Sequence, residues 1–322
     1  MRLLKIVPDN TNIHFVRLRN VAFALTLALS IASVLLVVFR GLDLGVDFRG
    51  GLMIEEKFAA APPVERVRSL VDGLGVGQAS LQQYANGNTV AIRLPPPESQ
   101  DAGATNAVVN KVQAAVSRAF PGATLARQDS VSGKVSGELL WKGGLAVFLA
   151  VFGIALWGVF RFEWQFGVST FVAITHDLLM TLGFFALTRL EFDLNIVAAV
   201  LTIIGYSIND KIVIDDRIRE NMRKYRQMDM RALIDLSVNE TLPRTVMTSL
   251  TVLIALASLL IFGGPVLRGF TAAMMLGVVV GTYSSIYVSS SLLISLGLEP
   301  QRFARSTPRP SGPPAGAERI GR

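Results

Sequence analysis

The residues best able to do chemistry in this sequence are charged side chains set inside long apolar runs. Asp210 lies near the end of one such run, residues 194–214. At about 1.5 Å per residue, this run can cross a bilayer core of about 30 Å. A carboxylate inside such a segment is costly unless a cation, a hydrogen-bond donor or a water-filled cavity receives it. The sequence therefore predicts a partner for Asp210.

Arg244 is the cation best placed to be that partner. The next span is predicted to begin at Pro243, with Thr241 or Asn239 as its N-cap, so Arg244 lies in its first turns. Two antiparallel neighbouring spans would hold Asp210 and Arg244 at comparable depth, where an ion pair lowers the cost of both charges. Three further side chains are predicted to support the pair: Ser207, Asn209 and Thr248.

Three interpretations of this pair remain open on the residues alone. It can be a static ion pair that locks two helices. Alternatively, Arg244 can extend to lipid phosphates while Asp210 meets cytoplasmic water. It can also be a switch, in which a proton on Asp210 removes its charge and releases Arg244, and loss of the proton restores the pair.

Other polar residues lie within the spans. His176 and Asp177 are adjacent and point about 100° apart on a helix, so they cannot chelate one metal as a simple pair. They are interpreted as polar locks to neighbouring helices or as a proton relay. Lys211 points away from Asp210 and is predicted to reach the cytoplasmic interface. Gly277 and Gly281 form a GxxxG face for close helix packing. No metal or cofactor site is predicted.

The composition is that of a polytopic membrane protein. Of 322 residues, 51% are hydrophobic and only 17% are charged, and the mean hydropathy is +0.47. With no cysteine, the chain has neither disulfides nor thiolate chemistry. The net charge of +7 is carried by arginine-rich flanks of the spans, which indicates membrane orientation and not nucleic-acid binding. Walker motifs, dinucleotide-binding glycine patterns and nucleophile elbows do not occur in the sequence, so we expect no enzymatic activity.

Six apolar spans organise the chain. Basic residues concentrate in residues 217–242 and after residue 297, which predicts that both termini lie in the cytoplasm. The predicted segments are a cytoplasmic N-terminus (1–20), an uncleaved signal-anchor span (21–39), a periplasmic domain (40–140), spans two to four (141–160, 164–188 and 194–216), a cytoplasmic loop (217–242), spans five and six (243–263 and 268–296) and a disordered cytoplasmic tail (297–322).

The predicted periplasmic domain is a small α+β unit. Its elements follow the order β-α-β-β-α-β, which is typical of a ferredoxin-like sandwich. They are strands 52–58, 79–84, 89–94 and 123–131 and helices 62–73 and 106–120, with Asn86-Gly87-Asn88 as a hairpin turn.

Six motifs together resemble the SecF family, membrane subunits of the bacterial SecD–SecF protein-export complex. They are GVDFRGG (45–51), RFEW (161–164), THD (175–177), LTIIGYSINDKIVIDDRIREN (201–221), NETLPRTVMTSLT (239–251) and GTYSSIYVSS (281–290). The resemblance runs in consistent order over about residues 15–297 and is most specific in the fourth and fifth motifs.

The resemblance implies a six-helix half of the RND transporter superfamily, in the bacterial inner membrane, with a periplasmic domain after the first span. It implies SecD, the SecYEG channel and YajC as partners, in contact with membrane lipids and the translocating unfolded polypeptide. The implied function is to use the proton motive force to promote translocation. The functional Asp and Arg of the family correspond to Asp210 and Arg244.

Two residues depart from the family pattern. Many relatives carry a small polar residue at the position of Lys211 and an aromatic residue at that of Asp215, so coupling to protons or to sodium stays open. Two other functions also remain: half of an RND-type exporter of small molecules or lipids, and a passive scaffold of the translocon. The single six-helix set and the small periplasmic domain argue against the exporter.

Overall fold

The computed structural model of the protein describes residue 8 and residues 11–84, 87–96 and 102–300. The elements in chain order are a 3₁₀ turn (Phe15–Leu18), α1 (Arg19–Arg40), α2 (Val46–Arg49), β1 (Gly51–Lys57), α3 (Val64–Asp72), β2 (Ser80–Gln83), β3 (Thr89–Leu94), α4 (Ala102–Ala119), β4 (Thr124–Val131), α5 (Gly133–Arg161), α6 (Trp164–Thr188), α7 (Leu194–Lys224), α8 (Met230–Phe262), α9 (Gly264–Tyr283), a π-helical segment (Ser284–Ser289) and α10 (Ser290–Ser295). The predicted disordered tail lies outside the described residues, apart from its first four.

Six long apolar helical stretches of the described chain can cross a membrane, which confirms the predicted membrane fold. The stretches formed by α6, by α7 and by α9 with its continuation into α10 are half or more buried in their most apolar windows. Those of α1, α5 and α8 are only 17% buried. A membrane helix that is apolar on all sides contacts lipid or a partner with its free face. The centre of the bundle is therefore α6, α7 and the last span.

The predicted α+β domain is present between α1 and α5. Its four strands form an antiparallel sheet in the order β2-β3-β1-β4, as expected for a β-α-β-β-α-β chain. One face of the sheet packs on α3 and α4, because the valines at helical spacing, Val67 and Val71 on α3 and Val112 and Val116 on α4, all point into this core. The hairpin turn keeps Gly87 with φ +73°, while Asn86 lies outside the described residues.

Two consecutive glycines connect α2 to β1. Gly50 has φ +74° and Gly51 has φ +121°, a backbone conformation that side-chain-bearing residues rarely adopt. A Cβ on Gly51 would lie 2.4 Å from the carbonyl oxygen of Leu94 in β3. The sheet can therefore begin at this point only with glycine.

The sheet domain rests directly on the membrane bundle. The connection from α6 to α7 pairs with the chain after α1, where Gly45 N donates to Phe192 O at 2.9 Å. Arg93 of β3 forms ion pairs with Asp43 at 3.4 Å and with Glu191 at 2.8 Å. These contacts join the two parts of the chain through backbone and charge.

The fifth span differs from its prediction. Its helix begins at Met230, with Asp229 as N-cap, and Pro243 lies inside it and not in its first turn. Most of the predicted loop 217–242 is consequently helical, because its buried apolar residues Ile234, Val238 and Leu242 recur every four residues. The charged residues between them concealed this pattern.

The two residues predicted as caps of the fifth span have other roles. Asn239 clamps the N-terminal segment, accepting from Ile13 N at 3.0 Å and donating to Ile13 O at 2.8 Å. Thr241 donates its hydroxyl to the carbonyls of Ser237 and Val238 in its own helix. Such back-bonding satisfies a hydroxyl group inside an apolar helix.

Candidate functional site

The central helices approach closely enough for short polar side chains to meet. A Cβ on Gly277 would lie 2.4 Å from Ile203 Cγ1, and a Cβ on Gly281 would lie 3.1 Å from Ser207 Cβ. This confirms the predicted GxxxG packing face, now assigned to the contact of α9 with α7. The π-helical segment follows immediately and is rich in serine.

Asp177 lies at the centre of one polar cluster. Its Oδ2 accepts hydrogen bonds from Ser207 of α7 at 2.6 Å and from Ser284 of the π-helical segment at 3.0 Å. Its Oδ1 lies 3.1 Å from His176 Nδ1. For Asp177 this is the geometry of a polar lock, because one carboxylate of α6 joins three elements. The proton-relay role of His176 and Asp177 stays a prediction.

Lys211 lies at the centre of a second polar cluster. The prediction that its side chain reaches the cytoplasmic interface is wrong. Its side chain is 2% exposed and forms an ion pair with Asp215 at 3.0 Å, one helical turn away. Its ammonium also donates to Ser169 of α6 at 2.9 Å and to Ser289 of the π-helical segment. The i,i+4 spacing of Lys211 and Asp215 was a readable signal for this pair.

Asp210 faces a third direction on α7. It is 4% exposed, and its Oδ2 is buried without a hydrogen-bond partner. Arg244 is exposed on α8, near enough to act on Asp210 electrostatically. The described residues show no direct ion pair between them, so the predicted contact is corrected to a charge interaction at longer range.

The predicted supporting residues do not bind Asp210. Ser207 donates to Asp177, because its hydroxyl faces α6. Asn209 is exposed, and the hydroxyl of Thr248 donates to carbonyls of its own helix, those of Arg244 and Thr245. Successive helical residues turn by about 100°, so neighbours in sequence serve different faces of α7.

A hydroxyl chain that sequence reasoning missed links the helices beside Asp210. Tyr206 of α7 donates to Ser249 of α8 at 3.1 Å, and Ser249 lies 2.9 Å from Thr282 of α9. Single hydroxyl residues on three spans carry no shared sequence signal. Among the described residues, no group of three or more carboxylate or imidazole side chains is arranged to hold a metal ion.

The arrangement offers one carboxylate equipped for proton exchange. Asp177 accepts hydrogen bonds from two serines and Asp215 is paired with Lys211, whereas Asp210 has a buried oxygen without a partner and, among the described residues, neither a hydrogen bond nor an ion pair. The guanidinium of Arg244 attracts the Asp210 carboxylate without forming an ion pair with it. Protonation of Asp210 would remove a poorly compensated charge without breaking a hydrogen bond to that oxygen.

Two family descriptions match this chain. "Protein export membrane protein SecD/SecF, C-terminal" matches residues 111–299, and "SecD/SecF GG Motif" matches residues 35–55, which include Gly50 and Gly51.

Curated relatives match nearly the whole chain. A protein of Cereibacter sphaeroides named protein translocase subunit SecF is 42% identical over 302 residues, covering 92% of this chain and 93% of the relative. One of Rickettsia felis with the same name is 35% identical over 291 residues, covering 90% and 94%.

Solved structures are similar as well. The crystal structure of SecDF, a translocon-associated membrane protein from Thermus thermophilus, matches with a TM-score of 0.82 and 33% identity, over 90% of this chain. A SecDF structure in a super-membrane-facing form matches with a TM-score of 0.66 and 34% identity, over 89%. This chain spans 39% of the length of each SecDF chain.

Proposed function

This chain belongs to the SecD/SecF family of protein-export membrane proteins, and on that premise we propose that it couples proton flow to polypeptide export through Asp210. It is a multi-pass membrane protein with a role in protein export. The energy source, the coupling residues, the inner-membrane location and the remaining partners are the proposal.

The observation that carries the proposal is the buried carboxylate of Asp210, which has neither a hydrogen bond nor an ion pair among the described residues. With the proton absent, its negative charge inside the membrane attracts the guanidinium of Arg244. With the proton bound, this attraction disappears. The electrostatic interaction that favours contact between α7 and α8 at this depth is then lost. Binding and release of a proton at Asp210 can thus move α7 and α8 relative to each other.

We propose SecD as the partner that covers α7 and α8. Asn209 and Arg244 are exposed on these helices, and polar groups facing lipid are costly. A second set of helices at this surface would receive both. The match to SecDF, a chain more than twice as long, supports such a second set, with SecYEG, YajC and the translocating polypeptide as further partners.

The proposed orientation has both termini and the α7–α8 connection in the cytoplasm. Arginine and lysine residues cluster there, at Arg223, Lys224 and Arg226, and the sheet domain lies at the other end of the same helices. The sheet domain then faces the periplasm, where exported chains emerge.

The test is gradient-dependent export of a presecretory protein into inverted membrane vesicles. Asp210→Asn keeps the size of the side chain and removes its exchangeable proton, so we expect loss of the gradient-dependent part of export alone. Asp216→Asn is the matched control, since Asp216 is an exposed carboxylate on the same helix. Both variants must be present at wild-type levels and co-purify with SecD.

Unchanged export by Asp210→Asn would reject coupling through this residue. It would favour the passive scaffold, for which the Asp177 and Lys211 clusters supply a structural basis as locks between helices. Equal losses in Asp210→Asn and Asp216→Asn would point to a general effect of removing charge from α7.

A further inference from the structure

The ammonium of Lys211 occupies a closed, oxygen-lined position inside the bundle. The side chains of Lys211 and Asp215 are 2% and 4% exposed, and the two serines that complete the position are 1% exposed or less. The position is built by three elements: α7 contributes Lys211 and Asp215, α6 contributes Ser169, and the π-helical segment contributes Ser289.

Three oxygen atoms surround Lys211 Nζ, which matches the three donors of an ammonium group. Ser169 Oγ lies at 2.9 Å and Asp215 Oδ2 at 3.0 Å, and Ser289 Oγ accepts the third hydrogen bond. The two serine hydroxyls lie 3.4 Å from each other. Hydroxyl and carboxylate oxygens around a compact positive charge are also what hard metal cations select in proteins.

We propose that this position is a monovalent-cation site whose cation is supplied by the chain itself, as the ammonium of Lys211. The carboxylate requires such a charge, because Asp215 Oδ1 is buried without any hydrogen-bond partner. The stem of Lys211 reaches the site from the preceding turn of α7, so its cation is covalently held and does not exchange with solution.

The other charged groups around the site hold their hydrogen bonds and ion pairs elsewhere, although Arg219 also attracts Asp215 electrostatically. On α7, Arg219 lies one turn beyond Asp215, pairs with Glu163 at 3.5 Å and stacks over the ring of Phe162 at 5.0 Å. On α6, Asp177 is bound by Ser207 and by Ser284 of the π-helical segment. Lys211 is therefore the charge that fills the oxygen-lined position.

The consequence concerns which ion the membrane domain takes, and this consequence rests on the proposed function. A permanent ammonium at this position excludes an exchangeable metal cation from it. The exchangeable charge is then the proton at Asp210, on a different face of α7. Lys211 in this view determines ion specificity and does not itself carry the transported ion.

The test is rescue of Lys211→Ala by a free ammonium ion. Removing the side chain leaves Asp215 buried and unpaired, and we expect the melting temperature of the purified full-length protein to fall by about 5 °C in choline chloride. Ammonium chloride at the same ionic strength should recover at least half of that fall, with saturation as its concentration rises. Potassium and sodium chloride then report how closely the site follows ion size.

Two controls define the specific effect. Wild type should melt at the same temperature in ammonium and choline chloride, because its site is filled. Lys224→Ala removes an exposed lysine of the same helix and should also respond equally to both salts. The double variant Lys211→Ala/Asp215→Asn removes both charges and should lose the response to ammonium.

Equal melting temperatures of Lys211→Ala in the two salts would overturn the proposal and leave a simple ion pair. If that variant folds too poorly for melting, its yield of monodisperse protein from ammonium and from choline solutions replaces the melting curve. Recovery in ammonium alone supports the site, and equal failure in both, while the double variant folds, rejects it. Neither readout involves export, so the outcome is independent of the test of Asp210.

Discussion

At the scale of single residues, three acidic side chains within the bundle differ in their interaction partners. Asp177 is bound by two serine hydroxyls and Asp215 is paired with Lys211, whereas Asp210 has neither kind of partner among the described residues. Burial alone does not distinguish them, since all three are 4% exposed or less. Their hydrogen-bond partners do, because a carboxylate without partners gains most from taking up a proton.

Arg244 gives the first prediction at this scale. Arg244→Met removes the cation that acts on Asp210, and we expect about a tenfold loss of gradient-dependent export, equivalent to about 1.4 kcal/mol. Arg244→Lys should restore only part of it, since lysine keeps the charge without the planar fork. Export into inverted vesicles measures this, with Arg226→Met in the α7–α8 connection as control. Full activity of Arg244→Met would show that Asp210 works without this cation.

Glu56 is a buried acid outside the membrane spans. It is 0% exposed in β1, opposite Val90 and Leu125, and neither carboxylate oxygen has a hydrogen-bond partner. Burial away from water raises the pKa of Glu56 from 4.5 to about 7. Between these values the folded domain keeps a proton that the unfolded chain has released.

The second prediction follows from the sign of this shift. The stability contributed by protonated Glu56 is fully present below pH 4.5 and is lost as the pH rises to about 7. The full shift corresponds to about 3 kcal/mol, and partial hydration of the carboxylate reduces the expected loss to about 2 kcal/mol.

Thermal unfolding of the full-length protein at pH 5 and pH 8 measures this loss. Glu56→Gln cannot ionise, so its melting temperature should change less between the two pH values than that of wild type. Parallel pH profiles for the two proteins would contradict the assignment to Glu56.

At the scale of elements, a local backbone constraint governs how the sheet domain joins the bundle. Gly50 and Gly51 turn the chain from α2 into β1, and β3 lies too close to Gly51 for any side chain. The same β3 carries Arg93, whose ion pairs reach Asp43 and Glu191 on the membrane side. The conformation of two glycines therefore positions the strand that anchors the domain.

Gly51→Ala is predicted to destabilise this junction. The alanine would adopt an unfavourable φ and place its Cβ against Leu94, so we expect a loss of about 2 kcal/mol or more. Limited proteolysis of the sheet domain and thermal unfolding measure the effect. Gly137→Ala is the control, since Gly137 lies in α5 with nothing within 4 Å of an added Cβ, and helix propensity predicts a slight gain there. Equal stability of both variants would show that the strand shifts without cost.

At the scale of the whole molecule, the absence of cysteine makes the orientation directly measurable. Ser69→Cys on α3 and Gln227→Cys in the α7–α8 connection each introduce one thiol at an exposed position. A maleimide that does not cross the inner membrane should label Ser69→Cys in spheroplasts and Gln227→Cys only after permeabilisation. Labelling of both variants without permeabilisation, or the reverse pattern, would contradict the proposed orientation.

The chain by itself determined the number of spans and the small α+β domain, and it singled out Asp210 and Arg244 as candidates. These follow from local properties: apolar runs of bilayer length, periods of two and 3.6 residues, and the cost of a charge in lipid. The resemblance to the SecF family is most specific in the two motifs that contain these residues, 201–221 and 239–251. The limits of the fifth helix were missed because packing of Ile234, Val238 and Leu242 outweighed a charged, proline-containing stretch.

Only the tertiary structure decided which polar groups meet. Ser207 binds Asp177 and not Asp210, Lys211 turns inward to two serines, and Arg244 stays at a distance from Asp210. These outcomes depend on the rotation of α7 about its own axis and on the close approach of α9 and the π-helical segment. A turn of about 100° per residue gives each neighbour on α7 a different helix to face, and packing between helices selects which one.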